Sequence, residues 1–413
     1  MRILSGKSAA AYVREIERRG SRLEGIEPAV RRIVKDVRQN GDRALLKYAR
    51  KFDALEPKQG LRLSEAELRA AWKRAPVPLR KALRIAEKNI RRFCEWQRPQ
   101  EWTRTSNGVT LGQLVRPLDS CGCYVPGGRF PLISTLLMTV IPAQVAGVKT
   151  IRVASPHPSS EMLAAAAMLG VRDFYRVGGA QAIAAFAYGT ESIERVDKIV
   201  GPGNLYVTAA KKMAAFDCAI DMLAGPTEVV IVSTSGNPAF IAADLVAQAE
   251  HDPETLAVFI TTSKKLAAYV ADKTEECSAG NAIAVQSLKA RGAVLIASSR
   301  QQALDWANRI APEHIAVEKS DVPMVQNAGS VFVGDYSAQA AGDYASGPNH
   351  VLPTAGAARF RGGLSVMDFV KLITVQSLSG KGLRKIAHAI VTLAETEGLR
   401  AHADSIRVRC ASA

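Results

Sequence analysis

Short apolar runs alternate with segments of helical spacing from about residue 115 onward, and Gly or Pro residues separate most of them. The predicted strands contain CGCYV, TIRVA, DFYRV, VDKIV, EVVIV, VFITT, AVLIA and IAVEK. The segments between them, such as STLLMTVIPAQVAGV and NPAFIAADLVAQAEH, have the apolar spacing of helices. Because strands that alternate with helices form parallel sheets, we expect an α/β fold with two doubly wound, incomplete Rossmann-like sheets.

The strand and helix units fall into two sets, which predicts two α/β domains and a small C-terminal extension. We expect residues 115–223 to form an inserted domain, residues 1–114 and 224–365 to form a discontinuous domain around it, and residues 366–413 to form the extension. The N-terminal region has helical patterns, including a capping box at Ser64 and Glu67. We expect these helices to pack on the sheet of the discontinuous domain.

Length and composition are those of an ordinary globular protein, since 413 residues with 47% hydrophobic and 23% charged residues predict two or three domains. No apolar run reaches the roughly 18 residues that span a bilayer, and the N-terminal segment lacks a signal peptide's hydrophobic stretch. We therefore expect a cytoplasmic protein with no membrane partner. The six cysteines have no CxxC spacing, which favours reduced, mostly structural thiols.

The net charge of +15 is concentrated near the N-terminus, where residues 1–100 contain 26 Lys and Arg against 12 Asp and Glu. These charges are interleaved with apolar residues at helical spacing, such as Val30, Ile33, Val34 and Val37, which is typical of solvated helix faces. A polyanion-binding surface is the alternative, but no nucleic-acid-binding motif accompanies the charge. We expect no nucleic-acid partner.

Three predicted strands of the inserted domain end in glycine-rich turns, at residues 124–128 (YVPGG), 178–181 (GGAQ) and 201–204 (GPGN). Turns at the carboxyl ends of parallel strands bind ligands in open α/β sheets, and helix N-termini there attract anions. The dinucleotide fingerprint GxGxxG is absent, because Tyr206 occupies the third glycine position of GPGNLY. The spacing alone leaves a nucleotide site and ordinary tight turns equally open.

Histidines with polar neighbours are the main candidates for chemistry. Gln248 and His251 lie three positions apart at the end of a predicted helix, on one side of the same turn, but they need further ligands to close a metal site. Glu313 and His314 begin a predicted strand, where they would point to opposite sides and still border one cavity. An imidazole and a carboxylate there suit two separate proton transfers.

Two further histidines lie in polar segments nearer the C-terminus. Asp343, Asn349 and His350 belong to GDYASGPNHVLPT, whose Gly and Pro residues predict a shaped loop and exclude a continuous helix or a central strand. His402 follows in EGLRAHADS. A rigid polar loop of this kind is suited to orienting ligands.

Eight motifs that include these residues occur in one order along the chain: YVPGG, GGAQA, VDKIVGPGN, AGPTEV, QAEHDP, APEHIAV, GDYASGPNHVLPT and EGLRAHADSIRVR. Together they resemble the histidinol dehydrogenase family, whose members catalyse the last two steps of histidine biosynthesis. The resemblance extends from about residue 25 to residue 409. It implies the NAD-linked oxidation of L-histidinol to L-histidine through the aldehyde.

The resemblance also implies roles for individual residues. One Zn²⁺ per subunit would be held by Gln248, His251, Asp343 and His402. His314 would accept the substrate's hydroxyl proton, and Glu313 would activate the water that hydrates the aldehyde. The implied substrate contacts are Thr227, Gln248, His251, His314, Asp343, His350, Glu397 and His402, and the implied NAD contacts are Tyr124, Gln181 and Asn204.

The family's quaternary structure implies a homodimer with shared active sites, in which the C-terminal segment donates Glu397 and His402 to the partner. Thr227 stands where some relatives have Ser, so it keeps the hydroxyl and adds a methyl group. Two other functions stay open at this point. One is oxidation of a different primary alcohol on the same fold, and the other is nucleic-acid binding through the basic N-terminal region.

Overall fold

The computed structural model describes residues 1–20, 23–127 and 132–411, so Gly128 of the first glycine-rich turn lies outside the described residues. The strands are β1 (Arg2–Ser5), β2 (Trp102–Ser106), β3 (Val109–Pro117), β4 (Ser120–Tyr124), β5 (Thr150–Ala154), β6 (Asp173–Tyr175), β7 (Lys198–Val200), β8 (Ala219–Ile220), β9 (Glu228–Val232), β10 (Leu256–Thr261), β11 (Ala293–Ile296), β12 (His314–Val317), β13 (Ser330–Val333) and β14 (Val370–Leu378).

The helices are α1 (Gly6–Glu17), α2 (Glu27–Phe52), α3 (Glu65–Arg74), α4 (Val77–Trp96), α5 (Ile133–Ala146), α6 (Ser160–Met168), α7 (Gly179–Tyr188), α8 (Leu205–Ala214), α9 (Pro238–Ala249), α10 (Lys264–Ser278), α11 (Ala282–Ala290), α12 (Arg300–Ile310), α13 (Gln339–Tyr344), α14 (Gly380–Thr396) and α15 (Arg400–Ala411). Short 3-10 helices occur at Lys319–Met324, Ala357–Arg359 and Val366–Phe369. These elements form two compact units, one of Met1–Gln97 with Asp119–Phe369 and one of Arg98–Leu118 with Val370–Ala413.

The larger sheet of the first unit is parallel and has the strand order β1-β11-β10-β9-β12-β13. Its central strands β9 and β10 read EVVIV and LAVFIT, and every residue of both is buried. Continuous apolar runs suit strands that helices cover on both faces. Accordingly, α1 and α12 pack on one face, and α9, α10 and α11 pack on the other.

The smaller sheet of the first unit is also parallel, with the order β6-β5-β4-β7-β8. The chain runs outward from β4 to β6 and then returns to the other side of β4, which makes the gap between β4 and β7 a topological switch point. The larger sheet repeats this order around β9 and β12. The predicted α/β class with two parallel, Rossmann-like sheets is confirmed.

The N-terminal helices are distributed over both sheets, which differs from our expectation. Only α1 packs on the larger sheet, through Tyr12, Val13 and Ile16. Helix α2 packs on α7 and α8 of the smaller sheet, while α3 packs on α6 and α4 packs on α5. The physical reason is that α7 is rich in buried alanines, so the apolar face of α2 can approach it closely. The capping box of Ser64 and Glu67 is confirmed at the start of α3.

The second unit contains an antiparallel sheet in the order β14-β3-β2, together with α14 and α15, which pack against each other. This sheet was not predicted. All residues of β2 and nearly all of β14 are exposed in the single chain. Exposed strands do not need the continuous apolar run by which a buried strand is recognised in a sequence. Strand β3 crosses the boundary predicted between residues 114 and 115, so the predicted limit between the discontinuous and the inserted domain falls inside a strand of the second unit.

Within the described ranges, we find no helix that combines the length and the apolar character needed to cross a membrane.

Candidate active site

A cavity of about 550 Å³ in the first unit is lined by residues that follow β7 and by residues at the starts of β9 and β12. It therefore lies at the carboxyl end of one parallel sheet and the amino end of the other. The structure brings eight of the candidate residues to its wall: Asn204, Thr227, Gln248, His251, Glu313, His314, Asp343 and His350. Glu397 directly follows α14 and His402 lies in α15, and both are exposed in the second unit.

Glu313 precedes β12 and is 7% exposed. Its Oε2 accepts hydrogen bonds from the backbone N–H of Glu228, at 2.8 Å, and from the hydroxyl of Thr227. Burial raises the pKa of the Glu313 carboxyl well above its usual range, and these two hydrogen bonds oppose that rise. A carboxylate with a raised pKa is a stronger base, which is the property that activation of water requires.

His314 begins β12 and is 2% exposed. Its Nδ1 lies 3.1 Å from the carbonyl oxygen of Glu228. Because a carbonyl only accepts hydrogen bonds, Nδ1 carries the proton, and Nε2 of the neutral ring keeps its lone pair. Burial lowers the pKa of His314. The Nδ1 atom is 3.7 Å from Oε2 of Glu313, so the two side chains border one cavity without a hydrogen bond between them.

Gln248 lies in the last turn of α9, is 3% exposed, and is tied to Glu313 through Thr227. The Gln248 Nε2 atom donates to Thr227 Oγ1, and the Thr227 hydroxyl donates to Glu313. These two hydrogen bonds fix the orientation of the Gln248 amide and leave its Oε1 as the atom available to a cation. His251 follows the end of α9 and lines the same cavity.

Asp343 lies in the short helix α13, and the loop after it is held by its own polar groups. His350 Nδ1 donates to the carbonyl oxygen of Asp343 at 2.8 Å, and its Nε2 is 3.2 Å from Thr135 Oγ1. Asn349 Nδ2 donates to the carbonyl oxygen of Met138 at 2.6 Å. The Asp343 carboxylate remains directed at the cavity, with Oδ1 3.8 Å from His314 Nε2.

The oxygen and nitrogen atoms of Gln248, His251 and Asp343 are a donor set that zinc accepts. In the described part of the chain, no three His, Cys, Asp or Glu side chains converge so as to hold a metal ion by themselves. The cavity therefore offers Gln248, His251 and Asp343 as potential ligands, one of them an amide.

The turn that follows β6 is fixed by an aspartate that we did not predict. Asp53, at the end of α2, accepts from Gly178 N–H at 2.9 Å and from Gln181 Nε2 at 3.0 Å. The Tyr124 hydroxyl accepts from Gly179 N–H at 3.1 Å. Tyr124 and Gln181 are only 3% and 2% exposed. Their polar atoms make hydrogen bonds that hold the turn in shape. The sequence does not identify Asp53 as a buried anchor, because a single Asp at a helix end is usually exposed to solvent.

The turn that follows β7 is equally constrained. Asp221 Oδ2 accepts from Gly201 N–H at 2.7 Å, and the buried Lys211 Nζ donates to the Gly201 carbonyl at 2.9 Å. Gly201 has φ +113°, and a Cβ there would collide with the carbonyl oxygen of Tyr124, so glycine is required. Asn204 caps α8 by accepting from the N–H groups of Tyr206 and Val207.

Comparison with known proteins identifies the family. The histidinol dehydrogenase family model matches residues 16–410. A histidinol dehydrogenase of Methanosarcina mazei is 45% identical over 98% of this chain and 96% of its own length, and one of Bacillus thuringiensis is 46% identical over 94% and 93%. A crystal structure of histidinol dehydrogenase from Elizabethkingia anophelis superposes with a TM-score of 0.95 at 36% identity, covering 100% of this chain and 98% of that one. The chain therefore belongs to the histidinol dehydrogenase family, a family of oxidoreductases.

Proposed function

We propose that this protein oxidises L-histidinol to L-histidine in two successive NAD-linked steps, with one Zn²⁺ per subunit. The observation that carries the proposal is the meeting of Glu313, His314 and three potential zinc ligands in one cavity of a chain that belongs to this family. Since both NAD and free amino acids are used in the cytoplasm, we propose that the enzyme works there.

Zinc would be held by Gln248 Oε1, His251 and Asp343 of one chain and by His402 of the partner chain. The hydrogen bond from Gln248 to Thr227 supports this assignment, because it fixes the amide with its oxygen free. When bound, the metal would hold the substrate's amino and imidazole nitrogens and so position its carbinol carbon. We assign Thr227 to orienting Gln248 and Glu313, in addition to a substrate contact.

In the first step, His314 Nε2 accepts the proton of the substrate's hydroxyl group while a hydride leaves the carbinol carbon for NAD⁺. The bond from His314 Nδ1–H to the Glu228 carbonyl supports this role, because it directs the basic nitrogen away from the backbone. The low pKa of His314 keeps the ring neutral, and therefore basic, at physiological pH. The product of this step is the aldehyde.

In the second step, water must first add to the aldehyde. An aldehyde has no hydroxyl group whose proton could leave together with a hydride, whereas its hydrate has two. Glu313 accepts a proton from that water as its oxygen attacks, and the proton that His314 took in the first step returns to the carbonyl oxygen, which gives the hydrated aldehyde and a neutral His314. A second hydride then leaves for a second NAD⁺, a hydroxyl proton passes to His314, and the carboxylic acid remains. The high pKa of Glu313 supports its role as the base.

NAD would bind at the turns that follow β4, β6 and β7, near the switch point of the smaller sheet. Asn204 lies exposed at the start of α8, where it lines the cavity. Tyr124 and Gln181 would contact the cofactor from the two neighbouring turns, once the cofactor is in place.

We further propose a homodimer in which Glu397 and His402 complete the partner's site. The assignment of His402 as a zinc ligand of the partner chain requires such a dimer. One observation supports it: the second unit exposes large apolar side chains, among them Leu372, Ile373 and Leu393. Exposed apolar surface of this kind is typical of a protein interface.

Removal of the metal tests the proposal. Chelation of the purified protein should abolish L-histidinol-dependent NADH formation, and added Zn²⁺ should restore it. Turnover of another primary alcohol without turnover of L-histidinol would refute the substrate assignment. Full activity in metal-free protein would refute the zinc assignment.

A further inference from the structure

A buried ion pair lies in the wall of the cavity and has no part in the function proposed above. Arg19, just after α1, reaches Glu228 at the start of β9 in a bidentate contact, with both N–O distances at 2.6 Å. The side chains are 11% and 4% exposed. The remaining guanidinium nitrogen donates to the carbonyl oxygens of Ile16 and Ile310, at 2.8 Å each. All three guanidinium nitrogens of Arg19 therefore donate to acceptors in the protein.

The backbone of Glu228 contacts both candidate catalytic residues. Its N–H donates to Glu313 Oε2 at 2.8 Å, and its carbonyl oxygen accepts from His314 Nδ1 at 3.1 Å. The side chain of the same residue is fixed by Arg19 and by the N–H of Ala355, which donates to Oε1 at 3.0 Å. Glu228 therefore connects the fixed guanidinium group of Arg19 to both Glu313 and His314.

Burial of an ion pair is a weak source of stability, because both charges lose their hydration and an apolar pair of similar size often serves the fold as well. A bidentate arginine contact, by contrast, fixes the direction and the distance of its carboxylate. Catalytic geometry depends on such fixed directions, since a displacement of about 1 Å costs about a hundredfold in rate.

We propose that Arg19 and Glu228 are a positioning pair that holds the backbone of residue 228 where it orients Glu313 and His314. The inference rests on the proposed function for the roles of those two residues. Both residues line the cavity, and the role assigned to them is to act through Glu313 and His314.

Four variants of the full-length, zinc-loaded enzyme test the pair. Arg19→Met removes the charge and keeps the length, Arg19→Lys keeps the charge and loses the bidentate contact, and Glu228→Gln keeps the size and loses the charge. The matched control is Arg309→Met, because Arg309 also joins α1 to α12, through Glu17 at 2.6 Å, without reaching β9.

The kinetic readout is kcat and KM for L-histidinol and NAD, with thermal unfolding measured beside them. We expect Arg19→Met and Glu228→Gln to lower kcat by about tenfold or more while KM for NAD changes by less than about twofold. Arg19→Lys should recover part of the loss, and Arg309→Met should keep kcat within about twofold. A folded Arg19→Met or Glu228→Gln enzyme with the kcat of Arg309→Met would overturn the inference.

A second readout needs no activity. In protein labelled with ¹⁵N-histidine, the ring nitrogen shifts of His314, assigned with His314→Asn, should report the Nδ1–H tautomer in the wild type and a tautomer mixture in Arg19→Met and Glu228→Gln. Unchanged shifts in both variants would overturn the inference. A wild type that forms no NADH from L-histidinol would instead refute the proposed function, and the NMR result would still decide on the pair.

Discussion

The two ring nitrogens of His314 have different surroundings, and this difference is the basis of its proposed role. Nδ1 donates to a backbone carbonyl, while Nε2 faces the cavity near Asp343. Glu313, one residue earlier, has its carboxylate held by Thr227 and by a backbone N–H. The two residues therefore present separate bases to one space, which allows separate proton transfers.

Substitution should separate the two oxidation steps. His314→Asn should slow the oxidation of both L-histidinol and the aldehyde by about a hundredfold or more, because both steps release a hydroxyl proton. Glu313→Gln should impair the aldehyde step by a similar factor and largely spare the alcohol step, which needs no water. Single-turnover assays started from each substrate measure the two steps. Equal losses in both steps for Glu313→Gln would contradict the division of roles.

The pH dependence of the first step should follow the lowered pKa of His314. The ring must be neutral to accept a proton, so activity is present above its pKa and is lost as the pH falls through it. Burial places that pKa below the value of about 6.5 for a free histidine side chain. The acid limb of kcat with L-histidinol should therefore have its midpoint below pH 6.5, with zinc content assayed at each pH. A midpoint above that value, at constant zinc content, would contradict the assignment.

At the scale of elements, the sequence predicted the strands of the two parallel sheets because they are buried on both faces and read as apolar runs. It missed β1, β8 and β13, which are short strands at sheet edges, and the whole antiparallel sheet, whose residues are largely exposed. Strands β3 and β14 pair although more than 200 residues separate them in the chain. Local patterns carry no information about such a pairing.

The candidate site was predictable only where it lies in a motif. The residues named from QAEH and APEH meet in one cavity with Asp343 and His350 of GDYASGPNH, while Asn349 binds the Met138 carbonyl instead, and the residues that support the site were missed. Asp53 resembles any polar residue at a helix end. Glu228 gave a usable signal, because a carboxylate that opens the buried run EVVIV must have a partner, but nothing local pointed to Arg19.

The turn between β6 and α7 provides a test at this scale. Asp53→Asn should raise KM for NAD by about tenfold, because an amide group then faces the N–H donors of Gly178 and Gln181 and the turn loses its anchor. KM for L-histidinol should change by less than about twofold. Asp36→Asn is the matched control, since Asp36 also accepts hydrogen bonds on α2, from Lys47 and Tyr48, away from the turn. Equal changes in both KM values would argue against a role of this turn in NAD binding.

At the scale of the whole molecule, the proposed sites are built from two chains. A heterodimer of His314→Asn and His402→Asn subunits, purified through two different tags, would contain one doubly defective site and one intact site. Its activity should be about half that of the wild type, although each parent homodimer is inactive. A heterodimer of His314→Asn and His251→Asn subunits is the control, because both residues come from one chain, each is needed for both steps, and no intact site forms. A His314→Asn and His402→Asn heterodimer as inactive as its parents would contradict shared sites.

The central claim is that one zinc-dependent cavity carries out two oxidations of the same substrate. The most direct measurement is the ratio of NADH formed to L-histidinol consumed, with zinc-loaded and chelated protein compared. We predict about two NADH per L-histidinol with zinc, in keeping with one hydride lost in each step, and none after chelation until zinc is restored. One NADH per L-histidinol with accumulation of the aldehyde, or the same yield without metal, would contradict the account.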